Sequence, residues 1–170
     1  YMSSSSADIN VKKYVCVLNS HYLKGGQELM YLLKNLDINI PILAVVTQKD
    51  KNDDMIMELF KERNARVNIN KLYRSTFNGI SEIYNICKVL LVPNIVDETF
   101  CKIAYEGIQL GLPMISYRTG NIANLLDNYS NNTYIDMPIK KEDIDKMDDV
   151  KIDEETLKKW VIEIEKKYKD

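Results

Sequence analysis

The chain has 170 residues, enough for one domain with a substantial core, and its 45% hydrophobic and 28% charged content is an ordinary globular balance. A formal net charge of −2 argues against a nucleic-acid binder, which carries a basic surplus, and no apolar run approaches the roughly 20 residues of a membrane span. The three cysteines (Cys16, Cys87, Cys101) are scattered and the single histidine is His21, a pattern that predicts reduced thiols, a cytoplasmic protein and no zinc site.

Residues 1–9 are polar and read as a disordered segment, or as the remnant of a cut from a longer polypeptide; residues 10–170 read as one domain. Residues 12–18, rich in β-branched and aromatic side chains, predict a first buried strand. A loop over 19–26 leads into a helix over 27–36, where Leu29, Leu32, Leu33 and Leu36 recur at three- and four-residue spacing. Pro41 precedes a second strand over 42–46. Asn52-Asp53-Asp54 then opens a helix over 54–64 with its acids at the favourable end, so Asp53 and Asp54 read as capping residues rather than metal ligands. Residues 66–70 predict a short third strand, and residues 78–86 a short helix with Ile80, Ile83 and Tyr84 on its apolar side.

An apolar strand over 88–92 follows, halted by Pro93. A helix is expected to start near Thr99; Gly111 and Pro113 stop it, and residues 114–117 begin another strand. Gly120 precedes a helix near 122–126, and 133–135 is a short last strand. The charged tail from Lys140 ends in an amphipathic helix over 154–169, whose Leu157, Trp160, Val161 and Ile164 stripe reads as packing rather than a membrane anchor. The alternation of strands and helices predicts an α/β, Rossmann-like three-layer α/β/α domain with a mostly parallel sheet.

The segment 92–117 is the most informative stretch. It puts Glu98 and Glu106 eight positions apart at the carboxyl end of a strand, where open α/β sheets bind ligands. On one helix they would stand about 12 Å apart along the axis and about 80° apart in rotation. That suits the two ends of an elongated, hydroxyl-rich ligand better than a hydrolase's carboxyl pair, which lies about 5 to 10 Å apart. Glu106 also interrupts an apolar helix beside Gly107, which would permit close backbone approach.

This segment resembles the donor-binding half of the B-fold, family-4-like retaining glycosyltransferases. Their hallmark is Glu-x7-Glu, a small residue, then Gly-x-Pro and an apolar strand, here Glu98, Glu106, Gly107, Gly111 and Pro113, with an upstream pair Lys24-Gly25. The resemblance covers residues 11–135. It implies a donor-binding C-terminal domain moving a sugar from a nucleotide-diphosphate sugar to an acceptor hydroxyl. By the same resemblance Lys24 stabilises the departing diphosphate, Glu98 and the backbone of Phe100, Cys101 and Lys102 orient the sugar, and Glu106 holds the ribose. Asn19 and Gly25 complete the expected donor site. No metal or cofactor is implied beyond the donor itself. The implied partners are the nucleotide sugar and an N-terminal acceptor-binding domain outside this chain, without which transfer is expected to be slight.

Three positions depart from the family pattern. Asn19 stands where the family has an arginine, removing half of the expected positive charge; Cys101 replaces a glycine; and Gly120-Asn121-Ile122-Ala123-Asn124 replaces Gly-Gly-x-x-Glu. Asn19 and Cys101 speak for a second reading, a noncatalytic nucleotide-sugar-binding or interaction module. A dinucleotide-dependent dehydrogenase is disfavoured, because no GxGxxG follows the first strand.

Overall fold

The computed structural model describes residues 11–46, 50–74, 79–96, 101–147 and 149–170. Six strands form one sheet: β1 (Tyr14–Val17), β2 (Ile42–Val46), β3 (Lys71–Arg74), β4 (Cys87–Val92), β5 (Met114–Tyr117) and β6 (Asn132–Ile135). Their order is β3-β2-β1-β4-β5-β6, and all five pairings are parallel. The helices are α1 (Gln27–Asn35), α2 (Asp53–Arg66), α3 (Ile80–Ile86), α4 (Lys102–Gln109), α5 (Gly120–Leu126), α6 (Lys141–Ile144) and α7 (Glu154–Tyr168). No helix among the described residues is long and apolar enough to cross a membrane.

The central strands are near-continuous apolar runs because helices cover both faces of the sheet. Alternate strand residues feed two separate cores. On one face Val15, Val17, Ile42, Ala44, Val89, Leu91 and Tyr117 pack with Leu29 and Leu32 of α1, Ile56 and Phe60 of α2, and Trp160 and Ile164 of α7. On the other, Cys16, Leu43, Leu90, Val92 and Met114 pack with Tyr84 of α3, Ala104 of α4 and Ile122 and Leu126 of α5. The chain thus builds outward from β1 to β3, crosses over, and builds outward again from β4 to β6. The order of strands reverses between β1 and β4, and their carboxyl ends frame a crevice there.

The charged tail returns to this domain. Trp160 is fully buried, the Lys167 ammonium donates to Met114 O (2.8 Å) and Thr133 Oγ1 (2.9 Å), and the Tyr168 hydroxyl donates to Lys13 O (2.7 Å). These bonds tie α7 to the amino ends of β1, β5 and β6.

The third strand is displaced from its expected place. The alternation of Val67 and Ile69 with polar neighbours suggested strand over 66–70, but α2 runs on to Arg66 and β3 begins at Lys71. Asn70 holds the intervening turn shut. Its Oδ1 accepts from Ile42 N (2.8 Å) and from Arg63 Nε (3.1 Å), while its own N–H and Nδ2 donate to Asn64 Oδ1. Arg63 also donates to the carbonyls of Leu36 (3.1 Å), Asp37 (2.7 Å) and Ile40 (2.8 Å), satisfying the end of α1 and the turn into β2.

Arg63→Met leaves these carbonyls without a donor and is expected to lower the free energy of unfolding by about 3 kcal/mol. Urea denaturation at unchanged m-value measures it; a loss under about 1 kcal/mol would show that the turn does not depend on this side chain.

Candidate functional site

The chain leaving β1 folds back on itself through side-chain bonds. His21 N donates to Asn19 Oδ1 (2.9 Å), and Leu23 N donates to His21 Nδ1 (3.2 Å). One wide turn over Tyr22–Gly26 follows, closed by Lys24 N and Gly26 N donating to His21 O. Within it Gly25 has φ +134°, a conformation that L side chains rarely adopt. A Cβ there would stand 2.8 Å from Pro93 Cγ and 3.0 Å from Asn19 O. Ile95 N donates to Leu23 O (3.1 Å), so the Lys24-Gly25 turn is pressed against the exit of β4.

The loop before α2 props this turn from the side. Asp50 accepts from Tyr22 N (3.1 Å), and Asp53 accepts from the Ser20 hydroxyl (3.1 Å) and Asp50 N (3.2 Å). Asp53 therefore ties loops together and is not the cap of α2: the capping position falls on Asn52, whose side chain makes no capping bond, so the role expected of Asp53 is corrected. His21 stacks on Tyr22, with its Nε2 3.9 Å from Asp50.

Asn19, Lys24 and Gly25 follow β1 at its carboxyl end, with Lys24 half-buried at the turn. Cys101 and Lys102 stand at the start of α4, and Glu106 lies about 6 Å further along its axis, half-buried. Glu98 and Phe100 lie outside the described residues. The expected helix start near Thr99 is corrected. Cys101 is the extended residue before the helix (φ −94°, ψ 96°), its carbonyl accepts the first intrahelical bond from Tyr105 N, and α4 begins at Lys102. The axial and rotational relation anticipated between the two glutamates involves Glu98 and so lies outside the described residues.

The physical cause is visible at Cys101. Its side chain is 2% exposed and belongs to the second core, so burial anchors this residue outside the helix. The N–H groups of Lys102, Ile103 and Ala104 precede the first intrahelical bond and point toward the carboxyl ends of the strands. The first turn of α4 has no acidic residue and begins with exposed Lys102, so its positive end carries a cation as well.

Gly107 serves packing. A Cβ there would lie 2.6 Å from Met114 Sδ and 3.0 Å from Leu90 Cδ2, so the glycine lets α4 lie close on β4 and β5. Tyr84 of α3 is buried with no partner for its hydroxyl, and burial followed by the nearby Glu106 carboxylate pushes the phenol well above its usual range.

Two positions escaped the sequence reading. Asn94, directly after Pro93, is 7% exposed at the exit of β4; its signal was a lone polar residue in an apolar run at a strand's carboxyl end. Glu28 is buried in the first turn of α1, and its signal was an acid four residues before Leu32, on the helix's apolar stripe.

The model of the family described as glycosyl transferases group 1 matches residues 5–167. The chain belongs to that family. No curated protein matches the chain. Among solved structures it is similar to the apo structure of OtsA, at 16% identity and a TM-score of 0.50, covering 74% of this chain and 33% of that one. It is also similar to AviGT4, a glycosyltransferase involved in avilamycin A biosynthesis, at 11% identity and a TM-score of 0.49, covering 97% and 53%. This chain therefore spans a third of the first and about half of the second. The OtsA likeness speaks to the fold alone and agrees with the Rossmann-like architecture expected from the sequence. In this group 1 glycosyltransferase domain, the turn after β1 is bonded to the exit of β4 where the strand order reverses.

Gly25→Ala tests whether that turn depends on its glycine. It should destabilise the domain by about 3 kcal/mol, through both backbone strain and contact with Pro93. Gly111→Ala, at φ +66° with nothing within 4 Å of the new Cβ, should cost about 1 kcal/mol. Equal losses on chemical denaturation would show that the contact with Pro93 is soft.

Proposed function

We propose that this chain is the donor-binding domain of a retaining, B-fold glycosyltransferase that moves a sugar from a nucleotide-diphosphate sugar to an acceptor hydroxyl. The observation that carries this reading is the reversal of strand order between β1 and β4, where the Lys24-Gly25 turn is bonded to the exit of the strand that leads to α4. A diphosphate seated there meets the Lys24 ammonium on one side and helix N–H groups on the other, and both oppose the charge that develops as the diphosphate leaves. Glu106 would accept hydrogen bonds from the ribose hydroxyls, a charge-assisted pair stronger than neutral ones. Glu98, with the backbone of Phe100 and Cys101, would orient the donor sugar, and Lys102 would add a second cation at the helix mouth. Protein cations and helix N–H groups serve the phosphates in this scheme, so it calls for no metal.

Asn19 holds its oxygen on His21 N, within its own loop, and supplies no charge. Positive charge on the β1 side therefore rests on Lys24. Such a site is completed by a second, acceptor-binding domain, so the isolated chain binds donor and transfers little. The three buried free thiols suit a reducing, cytoplasmic setting. The uncharged Asn19 also favours a second reading, a nucleotide-sugar-binding module without turnover.

Calorimetric titration with UDP, GDP, ADP and their sugar conjugates tests the reading. One nucleotide should bind, Glu106→Ala should weaken it by about 1 kcal/mol or more, and Lys24→Ala should weaken the diphosphate while sparing the nucleoside. Binding that ignores both substitutions would place the ligand elsewhere. Robust sugar transfer by the isolated chain would contradict its partial character.

A further inference from the structure

Glu28 has the most unusual environment of any charged group among the described residues. It is 1% exposed, in the first turn of α1 and two residues after the Gly26 that ends the crevice turn. Its Oε2 accepts from the Tyr117 hydroxyl at 2.7 Å, while its Oε1 is buried with no hydrogen-bond partner. Tyr117 ends β5 and meets the Trp160 indole edge-on, ring centroids 5.1 Å apart, with both rings fully buried. Thr119 Oγ1 and Trp160 Nε1 are buried without partners as well.

Among the described residues no cation acts on this carboxyl. From β5 it meets the neutral Tyr117, and from the head of α7 Asp153 acts on that phenol through space. The other charged residues buried among the described ones are committed elsewhere, Asp53 to Ser20 and Asp50, and Arg63 to carbonyls at the far end of α1. A lone carboxylate in such a place favours its neutral form. Burial raises the Glu28 carboxyl to about 7, against the lowering effect of the Tyr117 bond and of its own backbone N–H.

The position of Glu28 links two parts of the fold. Gln27 beside it clasps the strap that leads to α7, donating to Val150 O (2.8 Å) and accepting from Ile152 N (2.9 Å). The helix start that carries Glu28 therefore adjoins the Lys24-Gly25 turn on one side and the tail on the other. We propose that Glu28 is a buried proton switch: a single proton taken from solvent by its carboxylate removes a lone buried charge from among α1, Tyr117 and Trp160, and loss of that proton restores the charge and loosens the tail helix and the crevice turn together. No other bond changes in the step. Only the consequence for ligand binding rests on the donor-site reading above; the switch itself does not.

The sign follows from linkage. The folded carboxyl is raised above its unfolded value of about 4.3, so between there and about 7 the folded state holds more protons. Stability falls as pH rises through that window and is level above it. Trp160 is the only tryptophan of the chain, so its emission reports on this cluster directly.

The test is a pH titration of Trp160 fluorescence on the whole chain, paired with thermal melts. Wild type should show one transition centred near pH 7, and Glu28→Gln should abolish it. Wild type should also lose melting temperature relative to Glu28→Gln as pH rises from about 5 to about 8. Tyr117→Phe removes the bond that favours the charged form, so its midpoint should move up; this variant decides the matter if Glu28→Gln fails to fold. His21→Gln should leave the transition in place. A transition that persists in Glu28→Gln, vanishes in His21→Gln or keeps its midpoint in Tyr117→Phe overturns the proposal, as does a flat wild-type titration. The readout contains no nucleotide, so failure of the donor-site reading would leave it unaltered.

Discussion

The close approach between the turn after β1 and the chain leaving β4 governs the upper end of this domain. Gly25 can sit against Pro93 only because it lacks a side chain, and Ile95 N can reach Leu23 O only because Gly25 sits there. The parallel sheet supplies the setting. β1 and β4 are neighbours, and the helices that follow them, α1 and α4, lie on opposite faces of the sheet, so neither of the two covers the junction between their carboxyl ends. Each functional role assigned to the crevice depends on this contact. It holds the Lys24-Gly25 turn against the exit of β4, the strand that leads to α4.

Two of the three departures from the family pattern turn inward. Asn19 closes its own loop through His21 N, and Cys101 buries its side chain in the second core. Neither brings a charge to the carboxyl ends of β1 and β4. A cation at the mouth of α4 is locally unfavourable beside the helix dipole, and a bound anion would relieve it. The same economy of charge runs through the support. Asp50 and Asp53 use their oxygens to hold the loops, and α7 with its strap closes the face on which α1 lies.

Much of the architecture was legible because hydrophobic spacing is a local property. Residues 42–46 and 114–117 are strands as expected, and the tail helix ends within one residue of its expected limit. The errors have identifiable physical origins. Val67 and Ile69 alternate like a strand, yet the Asn64–Asn70 and Arg63–Asn70 bonds bend that segment into a turn, and those bonds become visible only once α2 and β2 are in place. The start of α4 was misplaced because capping preferences could not reveal that Cys101 is held by the core of the far face. The burial of Glu28 is imposed by Tyr117 and Trp160, which arrive from β5 and the tail. Strand order, and with it the crevice, depends on pairings distant in sequence.

Hydrogen–deuterium exchange with and without millimolar UDP, GDP or ADP tests the central claim most directly, because it locates the ligand rather than merely detecting it. The account predicts new protection confined to residues 19–26 and 93–106, on the two sides of the β1–β4 crevice. Protection centred on the Gln27 clasp and residues 149–152, or none with any nucleotide, would contradict it.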